Sequence, residues 1–231
     1  ILTDDNFATI VDATKEGRGI YDNIKKSIQF LLSSNLSEVL TIFISTLLWA
    51  ASPLAPTQIL WVNLVTDSLP ALALGMEPTD KDIMKNLPRP KKESIFTKDF
   101  TIAVILQGIM ISAFTLLAYI IGNFIYKDHT LGMTMAFATL SFSELFHAFN
   151  VKSKKSLFKT GIKNNKFLIG AFFAGALLQC AVLFIPFLKP AFDIADMSLF
   201  QFALVIVISF SSIVINEIAK AFVNLFKNKR K

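Results

Sequence analysis

Cysteine is all but missing from this chain: Cys180 stands alone among 231 residues. One thiol cannot close an internal bridge, so a disulfide-stapled fold is excluded and the redox compartment is left unspecified. Charge is also sparse, with Asp, Glu, Lys and Arg making up 17% of the residues, against about a quarter in ordinary globular domains. That scarcity excludes a disordered chain and a charge-laced coiled coil. With nine Gly and eight Pro, the chain is not collagen-like either. Trp and Tyr are rare, at two and three, whereas Phe reaches 23. Apolar residues fill the space, at 53% of the sequence, and the mean hydropathy is +0.55.

A net charge of +6 and a pI near 9.4 would suit a nucleic-acid partner if the basic residues formed one surface. They lie instead between apolar runs, and no nucleic acid is expected. A bilayer core about 30 Å thick takes roughly 20 apolar residues in helical form. Six such runs occur, at about 27–51, 57–76, 100–126, 131–150, 167–188 and 198–223. None shows the period-two alternation of a barrel strand, and an open sheet would leave its backbone unpaired in lipid. The expected fold class is therefore an all-α membrane protein with six transmembrane helices, residues 22–231 forming the membrane domain.

Of the 23 Lys and Arg, 21 fall in the N-terminal segment, in 77–99, in 151–166 and from Lys220 onward; only Lys127 and Lys189 fall on the opposite side. Basic flanks are retained in the cytoplasm, so both ends are expected there. The opening residues carry neither a charged n-region nor an apolar h-region, so no signal peptide is expected. Within 1–21, Thr3, Asp4, Asp5 and Asn6 suit a helix cap, and Ile10, Val11 and Ile20 suit an apolar face. This segment reads as the end of a folded cytoplasmic domain leading into the membrane.

Three runs contain an acid: Glu38, Asp67 and Glu144. Each costs at least ~2.5–3.5 kcal/mol at the bilayer centre and so needs a partner, a proton or a hydrated cavity. Counted from the cytoplasmic ends of their runs at about 1.5 Å per residue, they lie ~16, ~14 and ~9–12 Å deep, near one level. Neutral oxygens accompany them at helical spacing: Asn35 with Glu38, Asn63 and Thr66 with Asp67, Ser141 and His147 with Glu144. Two or three carboxylates with amide and hydroxyl oxygens suit a hard cation such as Ca²⁺. Without thiolates, zinc or copper is a poor match. Pro70 removes a donor and crowds the carbonyl of Thr66, which predicts loosened backbone around Thr66 to Pro70. Such breaks at membrane depth line ion paths or are enclosed by protein.

Simpler roles are expected elsewhere. Any one of the neutral polar residues also serves to join helices. Glu217, one turn from Lys220, suits a snorkelling ion pair. His147 suits a helix-joining role, and Cys180, Met110, Met133 and Met135 suit packing.

The run Ser33-Ser34-Asn35-Leu36-Ser37-Glu38 and the run from Leu60 to Ala71, which reads LWVNLVTDSLPA, resemble the fifth and sixth membrane helices of calcium-transporting P-type ATPases of the sarcoplasmic-reticulum type. Leu2-Thr3-Asp4-Asp5-Asn6-Phe7 with Gly17-Arg18-Gly19-Ile20-Tyr21 is similar to the end of that family's phosphorylation domain and its stalk. Asp80 to Pro90 resembles the following cytoplasmic loop, and Ser143-Glu144-Leu145 with Asn150 resembles the eighth helix. The resemblance implies helices five to ten of a ten-helix pump. It places Asn35, Glu38, Thr66, Asp67 and Glu144 at a first calcium site, and Asn63 and Asp67 at a second, completed by a fourth helix absent from this chain. ATP and Mg²⁺ would be bound by domains outside these residues. The Asp-Lys-Thr-Gly-Thr phosphorylation motif is absent, so this chain alone is not expected to hydrolyse ATP. Ser37, where many sodium/potassium pumps carry Pro, favours calcium. His147 stands where sarcoplasmic pumps commonly have Asn.

The resemblance implies a Ca²⁺-exporting pump in which phosphorylation elsewhere tilts the stalk and parts Glu38 from Asp67, exchanging the cation for protons. Its partners are the N-terminal remainder of the same pump and the lipid bilayer. The short loop 127–130 predicts no obligate second subunit, and the lysines and short loops suit a bacterial plasma membrane. The alternatives are a pump for Mn²⁺ or Na⁺, a secondary cation/proton antiporter, and a structural helix bundle. The antiporter expects internal symmetry, and no repeat is visible.

Overall fold

Asn6 opens the first helix by accepting a hydrogen bond from the amide of Ala8 at 3.0 Å, satisfying one of the amides that a helix start leaves free. The computed structural model describes residues 6–228 except 81, 86, 89, 91, 92, 154, 155, 158–160 and 162, with side chains as far as Phe222. The other expected caps, Thr3, Asp4 and Asp5, lie outside the described residues, as does part of the loop 80–90. From Asn6 the chain runs as one 43-residue helix, α1 (Phe7–Trp49). At about 1.5 Å per residue it is ~65 Å long, twice the hydrocarbon thickness, so stalk and membrane run form one rod. No break occurs near residue 21. Ala50, in left-handed conformation at φ 52°, ends it.

Helix α2 (Pro56–Trp61) begins on a proline, whose missing N–H costs nothing at that position. Gln58, fully buried, accepts from the amide of Ala55 at 3.0 Å and donates to the carbonyl of Phe192 at 2.8 Å. Gln58→Leu strands both groups and is expected to cost about 2–3 kcal/mol of stability, read as a lower melting temperature of the purified membrane protein.

The chain then widens into a π turn, Val62–Asp67, and resumes as α3 (Ser68–Gly75). The loosened backbone thus reaches Thr66 and Asp67 as the proline predicts, but it begins at Val62 and does not extend over Ser68 to Pro70. Pro70 sits within regular α3, and the extra residue in the preceding turn absorbs the lost donor.

Helix α4 (Lys98–Ile120), capped by Thr97, continues into a second π turn, Ile121–Ile125. Asp128 accepts from the amide of Leu131 and starts α5 (His129–Lys152). Asn165 caps α6 (Lys166–Phe184), and α7 (Leu199–Asn228) closes the fold. Helix α6 stops at Phe184, short of the expected 188, because Pro186 disfavours helical geometry at Ile185, which is extended. Among the described residues every regular element is helical.

Four helical segments are long and apolar enough to cross a membrane: Phe7–Trp49, Lys98–Ile125, Lys166–Phe184 and Leu199–Phe222. The expected runs at 57–76 and 131–150 are not among them. The first is divided by its π turn. The second, α5, is the central helix: nearly every side chain from Leu131 to Lys152 is buried, and α1, α3, α4, α6 and α7 all pack on it. Enclosed by protein, α5 has no lipid to satisfy and carries Thr, Ser, Glu, His and Asn. Its apolar side chains, with Ile111, Tyr119, Val182 and Val205, form the main core. The outer faces are the reverse of a soluble protein's, with Phe43, Leu47, Leu106, Phe173, Leu177 and Phe200 exposed.

Candidate cation site

The inner face of α1 repeats small polar residues at Ser34, Ser37, Glu38, Thr41 and Ser45, all buried. This spacing of three and four residues is one stripe of a helix turned inward, with Glu38 meeting the π turn and Thr41 donating to Ser112 on α4 at 3.1 Å. From the π turn, the Asn63 amide nitrogen donates to Glu38 Oε1 at 2.9 Å and Oε2 at 3.1 Å. Thr66 Oγ1 stands 3.5 Å from Glu144 Oε2 on α5 and donates to the carbonyl of Val62. Asp67 is 1% exposed and Glu144 fully buried. The Asp67 carboxyl lies beside Ser34 and Glu144, and all three acids act on one another electrostatically.

This cluster is rich in acceptors and poor in donors. Both oxygens of Asp67 and Oε1 of Glu144 are buried without a hydrogen-bond partner. Each orphaned oxygen costs on the order of 1–3 kcal/mol, so the arrangement is uphill unless a cation or protons compensate it. Hard oxygens with no thiolate match a hard cation. Among the described residues no three His, Cys, Asp or Glu side chains converge closely enough to hold a metal by themselves. Closing a shell here takes the neutral oxygens of Asn63, Thr66 and Ser34, and movement.

The structure brings together Glu38, Asn63, Thr66, Asp67 and Glu144 of the sequence-derived set, but not Asn35. That residue is exposed, and its amide nitrogen donates to the carbonyl of Leu31 at 2.7 Å. It stands about 100° around α1 from Ser34, which occupies the inner stripe in its place. Ser34 was legible as the residue one helical turn before Glu38. The π turn differs from expectation in a second respect: the carbonyls of Ile59, Val62 and Asn63 accept from the side chains of Asn63, Thr66 and Ser68, so the widened turn is stitched rather than open.

His147 joins helices as expected: its Nε2 is 2.9 Å from Ser33 Oγ and its ring stacks on Phe30. Glu217 pairs with Lys220 at 3.1 Å and also accepts from Ser156 and the amide of Leu157. At the far end of the stripe, Lys26 lies outside the apolar run. Burial draws its ammonium below the ordinary lysine value, partly offset by Glu77, Asp22 and Asp80.

Residues 51–222 match the family model described as cation transporting ATPase, C-terminus. Over 237 aligned residues the chain is 44% identical to calcium-transporting ATPase 1 of Bacillus cereus, covering 95% of this chain and 27% of that protein. Similarity to a calcium-transporting ATPase of Bacillus subtilis is 45% over 196 residues, covering 83% and 22%. With calcium-transporting ATPase type 2C member 1 of Mus musculus it is 34% over 224 residues, covering 95% and 24%. The chain thus spans about a quarter of the length of these relatives. Multiple apolar helices around a buried acidic centre, and matches over nearly the whole chain, lead to one conclusion: the chain belongs to the P-type cation-transporting ATPase family and represents its C-terminal, multi-pass membrane region.

Proposed function

We propose that this chain is the ion-binding membrane half of an ATP-driven pump that exports Ca²⁺ in exchange for protons. Glu38, Asn63, Thr66, Asp67 and Glu144 supply oxygens to the cation, and Asn35 joins them when α1 rotates. Six helical segments cross the bilayer, the one at 131–150 enclosed by its neighbours and the one at 57–76 divided by its π turn, with both ends in the cytoplasm of a bacterial cell. ATP and Mg²⁺ act on the remainder of the same polypeptide, and no second subunit is required.

The observation that carries this reading is the set of buried oxygens without a donor, both of Asp67 and Oε1 of Glu144, beside Glu38. Protons neutralise these carboxylates when the cation leaves, because uncompensated charge in a low-dielectric pocket is costly. The relatives' names favour calcium over Mn²⁺ or Na⁺. Purified full-length protein is expected to bind ⁴⁵Ca saturably without ATP, with half-saturation on the order of 1 µM. Addition of Ca²⁺ to an unbuffered sample is expected to acidify it. Absence of saturable ⁴⁵Ca binding would refute the proposal, and binding without proton release would remove the exchange.

A further inference from the structure

The cytoplasmic ends of the acid-bearing helices meet at one carboxylate. Glu77, two residues past α3, is ten positions after Asp67; Lys152, the last residue of α5, is eight positions after Glu144. Lys152 is a fully buried lysine, its side chain 1% exposed against 9% for Glu77, and its Nζ stands 3.6 Å from Glu77 Oε1. The same ammonium donates to the carbonyl of Gly161 at 3.1 Å. Glu77 Oε2 accepts from Asn165, the cap of α6, at 2.7 Å. Asn165 also donates to the carbonyl of Ala73 within α3 at 2.8 Å. From the stalk, Asn23 donates to the backbone carbonyls of Glu77 and Gly75. Four segments, α1, the end of α3, the end of α5 and the start of α6, thus converge on Glu77.

An ion pair shielded from water tolerates little displacement, because separating the partners leaves an uncompensated charge. Here the pair joins α3 to α5, and those helices carry Asp67 and Glu144. A slip of α3 by one residue moves Asp67 by about 1.5 Å and 100°, enough to take it out of a coordination shell. We propose that Glu77 and Lys152 are positioning residues of the cation site, holding the axial register of Asp67 against Glu144. This rests on the acids being the cation site, as argued above. Neither residue contacts the cation, and their effect passes through the two helices.

The test uses full-length protein in membrane vesicles, measuring equilibrium ⁴⁵Ca binding and the calcium dependence of ATP hydrolysis. Lys152→Met and Glu77→Gln are each expected to raise the half-saturating calcium concentration about tenfold while maximal turnover stays within about twofold. Lys152→Arg keeps the charge and is expected to stay near wild type. The exchange Glu77→Lys with Lys152→Glu is expected to recover part of the lost affinity. Glu77→Asp keeps the charge but shortens the reach, so it still probes the pair if the neutral variants do not fold; its expected shift is about threefold. Folded variants that bind calcium with unchanged affinity would overturn the positioning role and reduce the junction to a structural staple, as would equal losses in turnover and affinity. Wild-type protein without saturable calcium binding would overturn the cation-site reading itself and this proposal with it.

Discussion

Asp67→Asn in the full-length pump is expected to abolish calcium-dependent phosphorylation while leaving the fold intact. Both carboxylate oxygens of Asp67 are buried with no donor, beside Glu144 and within the field of Glu38. Without a cation this residue needs a proton to relieve its repulsion with Glu38 and Glu144. Asn removes the charge, keeps the shape and supplies an N–H₂ group able to reach the orphaned oxygens nearby. Melting in a calcium chelator is therefore expected to be unchanged or slightly higher. With calcium the sign reverses: loss of a central carboxylate is expected to weaken binding at least ~100-fold, or ~2.7 kcal/mol. Calcium-induced thermal stabilisation, about 2.7 kcal/mol at 100 times the dissociation constant, is expected to vanish. The opposite pattern, a variant that is unstable in chelator yet retains wild-type calcium affinity, would make Asp67 a structural residue.

Gly122→Ala is expected to be among the most destabilising single-methyl substitutions available in this chain. Gly122 lies in the π turn after α4, where α5 begins against it. A Cβ there would stand 2.4 Å from the Gly132 Cα and 2.6 Å from its nitrogen. The obstacle is backbone, which has no rotamer to yield, and α5 is wedged among five other helices. The start of α5 must move away from α4, opening the packing around Tyr119 and Leu131, both core residues. Overpacking of this kind costs about 3 kcal/mol, which for a chain of this size is a fall of about 6–12 °C in melting temperature. Gly170→Ala is the control, because its added Cβ meets nothing within 4 Å; no loss is expected there. Comparable melting temperatures for the two variants would show that the α4–α5 corner is looser than its backbone contacts require.

The acids at the centre were legible because a carboxylate in an apolar run is costly wherever the fold takes it. Glu38, Asp67 and Glu144 stand out from hydropathy and depth alone. The site of the backbone distortion was only half legible. Pro70 marks a missing donor, but its accommodation depends on which carbonyls find other partners, and Asn63, Thr66 and Ser68 supply those one turn earlier. Two apolar runs read as membrane crossings do not meet the length and composition of independent spans, since α5 is sheathed by protein and the 57–76 run is divided. The Glu77–Asn165 contact joins positions 88 apart, and Lys152 is one of 23 basic residues. Nothing local distinguishes it from the others.

Composition and charge placement determined that the chain is helical, that it belongs in a membrane, and which carboxylates lie deep within it, because these follow from transfer free energies that each segment carries on its own. The rotation of each helix about its axis was decided by tertiary packing, since a turn of 100° costs a segment nothing until its neighbours are in place. That rotation put Ser34 rather than Asn35 against Asp67, enclosed Lys152 against Glu77, and brought acids from three segments together with too few donors for their oxygens.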